Sequence, residues 1–479
     1  MRTMSTRHLP VLLAFSSCFA SWSQSPAAES AFGKRPNIIL VITDDQGYYD
    51  LSCHGNPHLS TPNLDELSTQ SLRFTRFQVS PTCAPTRSAI MSGRAPFYVG
   101  VTHTIKERER MKLGVPTLPE MLRDAGYATA ISGKWHLGDE DRYRPDKRGF
   151  DEVFIHGAGG IGQSYEGSCG DAPGNKYFDP YILHNNRFVK TEGFCTDIFF
   201  NQAMEWIESK KGKQPFFAYI STNAPHAPYV APEAKKKKFL DAGFNRDTAG
   251  FYGMIENIDD NMGRLMTKLA EWGIEDDTLL IFMTDNGPAA TAYNGDHKGR
   301  KGSVDEWGTR VSCFWRWPGV LEPGTDVDRI ANHYDLLPTF AAIVGGQPKQ
   351  QDQLHGVSLV PLLKDPETSW EDRLRFFHKG RWARGRAEQS RSNGFAVRNQ
   401  RFRLVGRDTL YDMQQDPSQK KNVVADHPEI AQQMNTAYDQ WFDGALPNMV
   451  NENADLTGQN TFHQMFWDQF GKDAPTEAQ

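Results

Sequence analysis

Four apolar runs, each closing on a polar tip, constrain this chain more than any other feature. Asn37–Ile42, Tyr127–Ile131, Phe216–Ile220 and Leu279–Met283 are short and continuous in aliphatic and aromatic residues. Strands buried on both faces have that texture. Helical stretches from Leu118 to Ala125 and from about Phe251 to Trp272 precede the second and fourth runs. Helix, buried strand and polar tip in repetition predict an α/β fold: a large mixed, mainly parallel sheet sandwiched by helices. The tips read Thr43-Asp44-Asp45-Gln46-Gly47, Ser132-Gly133-Lys134, Asn223-Ala224-Pro225-His226 and Thr284-Asp285-Asn286-Gly287. In such sheets ligands gather beyond the carboxyl ends of the strands. Four polar tips therefore predict one shared site.

The texture changes beyond Leu363. Gly394–Arg398 and Phe402–Val405 read as short antiparallel strands, and a helix is expected from about Glu429 to Phe442. The predicted organisation is a catalytic domain over 32–365, a small C-terminal α+β domain with a short antiparallel sheet over 366–447, and a polar, loosely held tail over 448–479. Residues 1–28 read as a signal peptide: Arg2 and Arg7, an apolar stretch from Leu9 to Ala20, then small residues. That stretch is too short to span a bilayer, and no other transmembrane segment is expected. The expected location is periplasmic or extracellular. Export implies an oxidising compartment. With Cys18 removed and Cys83 committed elsewhere, Cys53, Cys169, Cys195 and Cys313 remain, and they allow three pairings. Cys169–Cys195 is the first expectation, since it would staple a Gly-rich insertion; free buried cysteines are the alternative. The formal net charge is −6, so nucleic acid is not an expected partner and anion affinity must be local.

Asp44, Asp45, Asp285 and Asn286 are hard oxygen donors at two tips. Carboxylates and an amide suit calcium better than zinc. Taken singly, each Asp could equally be a cap or turn former.

Cys83-Ala84-Pro85-Thr86-Arg87 continues into Ser88-Ala89-Ile90-Met91-Ser92-Gly93-Arg94. This segment resembles the signature of type I, formylglycine-dependent sulfatases of the alkaline phosphatase-like superfamily. Gly133-Lys134-Trp135-His136-Leu137-Gly138 resembles that family's second signature, and Lys301-Gly302-Ser303 opens a third similar segment. The resemblance implies a maturation enzyme that converts Cys83 to formylglycine, whose hydrate attacks sulfur. It implies calcium held by Asp44, Asp45, Asp285, Asn286 and the modified Cys83. Arg87 would then steady the hydrate, Lys134 and Lys301 would bind sulfate oxygens, His136 would take a proton from the hydrate, and His226 would serve the leaving oxygen. His226 stands between Pro225 and Pro228, in a loop read as stiff. Lys298 competes with Lys301 for its role. Trp307 replaces a usual glycine and could form an aromatic wall. His156, before the Gly-rich insertion, is a further substrate-binding candidate, and the basic stretch from Arg373 to Arg407 a further wall.

These readings converge on hydrolysis of sulfate monoesters, with a sulfated saccharide as the substrate. The alternatives are a phosphonate or phosphate ester hydrolase of the same superfamily, or a catalytically silent protein that binds sulfated glycans.

Overall fold

The computed structural model describes residues 29–289, 293–295, 297–458 and 460–472. The signal-peptide reading of 1–28 lies outside them. The central sheet has ten strands. At its middle lie β1 (Asn37–Thr43), β2 (Ala128–Lys134), β3 (Phe216–Ser221) and β4 (Thr278–Thr284). These four run parallel in the order β4-β1-β3-β2. Glu152–His156 continues the parallel run beside β2, and antiparallel pairs join farther out, including Cys313–Arg316 against β4 and Tyr181–His184 against Glu152–His156.

Each central strand feeds two cores. Ile38, Leu40 and Ile42 face one hydrophobic cluster, with Phe217, Tyr219, Leu279 and Ile281. Ile39 and Val41 face the other, with Ala218, Ile220, Leu280 and Phe282. A period of two with apolar residues on both faces is what a sheet between helical layers requires. The helix Arg246–Glu271 closes the second layer through Met254, Ile258, Met262 and Leu265. The Asn245 side chain caps it by accepting from the Thr248 N–H at 2.9 Å. That cap sets its start at Arg246, earlier than hydrophobic periodicity suggested.

Toward the C-terminus, Arg375–His378, Phe395–Arg398, Phe402–Val405 and Thr409–Asp412 form a four-stranded antiparallel sheet. The helix Pro428–Ala445 packs on it through Met434, Tyr438 and Phe442.

Three expectations are corrected. The described part of 448–479 is not loosely held: Thr461–Phe470 is a helix whose Phe462 and Phe466 are buried in the first core beside Phe188. An apolar face at helical spacing won over a polar average composition. Cys169 and Cys195 are both buried and free, so no disulfide staples the insertion. Cys195 instead packs among Phe199 and Phe200 in the second core. Finally, Arg375, Arg398 and Arg403 are fully buried rather than lining a substrate wall. Arg375 donates to the Ile330 carbonyl at 2.6 Å, and Arg403 to Glu306 at 2.9 Å.

Candidate active site

The carboxyl ends of β1 to β4 converge, and with them their tips. Asp44 and Asp45 follow β1, Lys134 ends β2, and Asp285 and Asn286 follow β4. Cys83 opens the helix Cys83–Ser92, every residue of which is buried. Oxygen or sulfur atoms of Asp44, Cys83 and Asp285 lie within 4.8 Å of one another. Against these acids stand three cations. Lys134 pairs with Asp44, both fully buried. Lys301 donates to Asp45 at 2.7 Å. Arg87 reaches Asp285 at 2.9 Å, the Lys134 carbonyl at 3.2 Å and the Ser221 hydroxyl.

The charges shape one another. Burial opposes ionisation of Cys83, but Lys134 and then Lys301 outweigh it and hold the thiol below its ordinary range. Burial likewise opposes the Asp44 charge, yet Lys134, His226 and Arg87 hold that carboxyl far below the usual range. Asp285 goes the other way: burial and the Asp44 charge push it well above. Two crowded, buried carboxylates split in this manner.

Several polar atoms here lack a partner among the described residues. They include Asp44 Oδ1, Asn286 Oδ1 and His136 Nδ1, all buried. Unpaired buried oxygens amid carboxylates fit a hard cation, because buried polar groups are otherwise satisfied. The Asn286 amide donates to Asp45 at 3.0 Å, which leaves its oxygen free.

His136 sits at φ 61, in the left-handed region. Its Nε2 lies 2.8 Å from the Thr104 carbonyl. A carbonyl can only accept, so the proton is on Nε2 and Nδ1 keeps its lone pair. Burial and the Lys134 ammonium push this histidine well below its usual range, which keeps it neutral. Gly159 lies against the ring; a Cβ there would come within 2.7 Å of it. His226 donates from Nδ1 to the Ala227 carbonyl at 2.7 Å and turns Nε2 toward Asp45 at 3.7 Å.

Lys301, not Lys298, joins the cluster. Lys298 donates to the Tyr411 hydroxyl at 3.0 Å and is half exposed. Trp307 is buried in an aromatic nest with Tyr48, Tyr49 and His297, and Arg310 stacks on it. His156 is buried, pushed down to about 3 by burial, and its Nε2 has no partner among the described residues. Ser221 and Thr104 escaped the sequence reading, whereas Asn223 stood in the third polar tip. Asn223 accepts from the Ile161 N–H at 3.0 Å, fixing the Gly-rich insertion over the site. Ser221 ends β3 just before that tip, and its position there could have signalled it. Thr104 acts through its carbonyl, which no side-chain pattern announces. A hollow of about 600 Å³, lined by Lys34, Asn37, Lys213 and Asp277, lies at the opposite, amino ends of the strands.

A family model described as Sulfatase matches residues 36–346. The chain belongs to the sulfatase family. A second model, the C-terminal region of N-sulphoglucosamine sulphohydrolase, matches residues 301–441. The human N-acetylgalactosamine-6-sulfatase is 31% identical over 72% of this chain and 68% of its own length. Human arylsulfatase A is 31% identical over 73% of this chain and 72% of its own. Among solved structures, Ps i-CgsB superposes with a TM-score of 0.77 at 27% identity, covering 91% of this chain and 97% of that one. This sulfatase is accordingly a sulfuric ester hydrolase.

Proposed function

We propose that this sulfatase is an exported, calcium-dependent enzyme that uses a formylglycine made from Cys83 to remove sulfate from carbohydrates. One observation carries the reading: Asp44, Cys83, Lys134, Asp285 and Lys301 meet in one buried, charge-rich cluster, although Asp45 and its partner Lys301 are 256 residues apart in the chain. The carbohydrate class is supported by relatives. One is an N-acetylgalactosamine-6-sulfatase, and Ps i-CgsB has been solved with a neocarrahexaose. Among the described residues no helix is long and apolar enough to cross a membrane. A chemically modified cysteine and hydrolysis of an extracellular polymer are both compatible with the leader-like N-terminus.

Asp44, Asp45, Asp285, Asn286 and the group at position 83 would hold the calcium ion. Bound there, calcium supplies positive charge to the sulfate oxygens, and formylglycine supplies the attacking hydroxyl. The chain's own residues do the rest. Lys134 and Lys301 neutralise the oxygens as charge builds on them, in a site with little water to screen it. Arg87 locks Asp285 and the end of β2 in place, so that Lys134 needs no reorganisation. His136, neutral and with Nδ1 free, accepts a proton at that nitrogen. His226 presents Nε2 to the leaving oxygen. The maturation enzyme would act on the Cys83–Arg87 segment before folding, since in the folded protein all of it is buried.

Two measurements test the reading together. The peptide containing Cys83 should be about 18 Da lighter than its cysteine form when a maturation enzyme is present. Cys83→Ala should abolish sulfate release from sulfated sugars, by about 10³-fold or more, while the thermal midpoint hardly moves. Full activity from protein with an unmodified thiol would sink the proposal.

A further inference from the structure

Next to the catalytic cluster the surface folds into a cavity of about 360 Å³. Its lining includes His103, Lys106, Arg108, Trp382, Arg384 and Asn451. Three segments separated in the chain build it: the loop around 103–108, the stretch after the strand Arg375–His378, and the residues after the helix Pro428–Ala445. The volume is that of a small-molecule site.

The charge in this cavity is lopsided. Among the described lining residues the one acid, Glu452, is consumed internally. It pairs with Arg108 at 3.2 Å and accepts from the Trp382 indole at 2.6 Å, the Gly385 N–H at 3.2 Å and the Thr102 hydroxyl at 3.2 Å. The cations keep capacity to spare. One terminal guanidinium nitrogen of Arg108, Nη2, has no partner among the described residues, although the side chain is only 6% exposed. Lys106 and Arg384 hold the carboxylates of Glu166 at 3.2 Å and Asp455 at 3.3 Å, both largely in solvent. Arg384 also donates to the Asn453 carbonyl at 2.7 Å. Exposed ion pairs of this kind contribute little and exchange readily for a better anion.

The cavity is wired to the chemistry. His103 lines it, and the next residue, Thr104, supplies the carbonyl that fixes His136. The Thr104 hydroxyl accepts from Arg381 at 3.1 Å, and Arg381 adjoins Trp382 of the cavity wall. One short strap thus borders both the catalytic histidine and the cavity. His103 itself is pushed down to about 3 by burial, then by Arg108 and Arg381, with His136 contributing. It is neutral, and it adds a polar contact without adding charge.

The geometry points to a second anion subsite: this cavity takes the carboxylate or sulfate of the sugar unit next to the one that carries the ester to be cleaved. The inference rests on the saccharide reading above and extends it. It makes the enzyme a reader of two anions on neighbouring sugars, with the second held by Lys106, Arg108 and Arg384 through charge-assisted hydrogen bonds.

Calorimetry on the Cys83→Ser protein tests it, since binding is then measured without turnover. Three disaccharides share one sulfate ester and differ in the neighbouring unit, which is neutral, a uronate or a second sulfated sugar. At least one anionic neighbour should bind about tenfold tighter than the neutral one. Lys106→Gln/Arg384→Gln should erase that preference with its thermal midpoint kept; if the double variant melts early, each single substitution carries the same comparison. Whichever anion is preferred identifies the group the cavity reads. Equal affinity for all three, or a preference that survives the substitutions, overturns the subsite. Failure of the sulfatase proposal would look different: converted wild-type enzyme would release no sulfate from any of the three.

Discussion

Two of the buried ionic clusters among the described residues differ in how completely their bonds are satisfied. At the strand tips, Asp44, Cys83, Lys134 and Asp285 are all buried, yet Asp44 Oδ1, Asn286 Oδ1 and His136 Nδ1 have no partner among the described residues. Where the C-terminal sheet meets the segment 301–311, Glu306 is equally buried, and both of its oxygens are occupied. Oε1 accepts from Gln78 at 3.0 Å, and Oε2 from Arg398 at 3.2 Å and Arg403 at 2.9 Å. Arg403 spends its remaining donors on the Val304 carbonyl and the Thr309 hydroxyl. Burial alone therefore does not mark a working site. In this pair the strand-tip cluster is the one whose residual bonding capacity a ligand could complete, an unsatisfied buried group being costly.

The comparison breaks most visibly in activity. Lys134→Ala should cut sulfate release by about 10³-fold, as expected for removing one preorganised charge from a transition state. Because the Asp44 carboxylate is then left without its counter-charge, added calcium should raise the thermal midpoint of this variant more than that of the wild type. A variant with near-normal kcat would mean that Lys134 is structural, like Arg403.

Glu306→Ala is the mirror experiment. It should lower stability by about 3–5 kcal/mol, because Arg398 and Arg403 are left buried and unpaired. Activity per folded molecule should change far less, which denaturant titration and assays at low temperature would separate. The same residue sets an acid limit. Burial works against the Glu306 charge, but Arg398 and Arg403 hold its carboxyl at about 2, against an ordinary 4.5. Its contribution is therefore complete above pH 4.5 and disappears as the pH falls toward 2. The gap is worth about 3 kcal/mol. Glu306→Gln should flatten that part of the stability curve, and an unchanged acid limb would show that other carboxylates control it.

How much of this was legible in the sequence depends on the kind of information. The four central strands were legible because burial on both faces leaves unbroken apolar runs such as Ile38–Ile42. The candidate site was legible where a side chain builds it, as with Asp44, Cys83 and Lys134. It was silent where backbone does: the Thr104 carbonyl sets the His136 tautomer, and any residue at 104 would offer one. Arg398 and Arg403 misled because a run of basic residues looks alike whether it faces solvent or a buried Glu306 some 90 residues earlier, a separation of 92 for Arg398, and Arg375 misled in the same way by ending on the buried Ile330 carbonyl. Phe462 and Phe466 were lost in a polar tail because averaging over composition hides a two-residue apolar stripe.

The smallest expected effect concerns the two lysines of one loop. Lys298 and Lys301 are three residues apart and equally charged, so sequence could not rank them. In the fold, Lys301 is 20% exposed and bound to Asp45, while Lys298 is 50% exposed and bound to Tyr411 and Asp305. An exposed lysine with such partners contributes about 0–1 kcal/mol. Lys298→Ala should therefore shift stability by less than about 1 kcal/mol and leave kcat/KM within about twofold, whereas Lys301→Ala should lower kcat/KM by about 10²-fold or more. The two lysines differ in burial and in whether the ammonium reaches the acid cluster. If Lys298→Ala were the more damaging change, charge near the mouth would matter more than charge inside it, and the distinction between satisfied and unsatisfied clusters would lose its functional meaning.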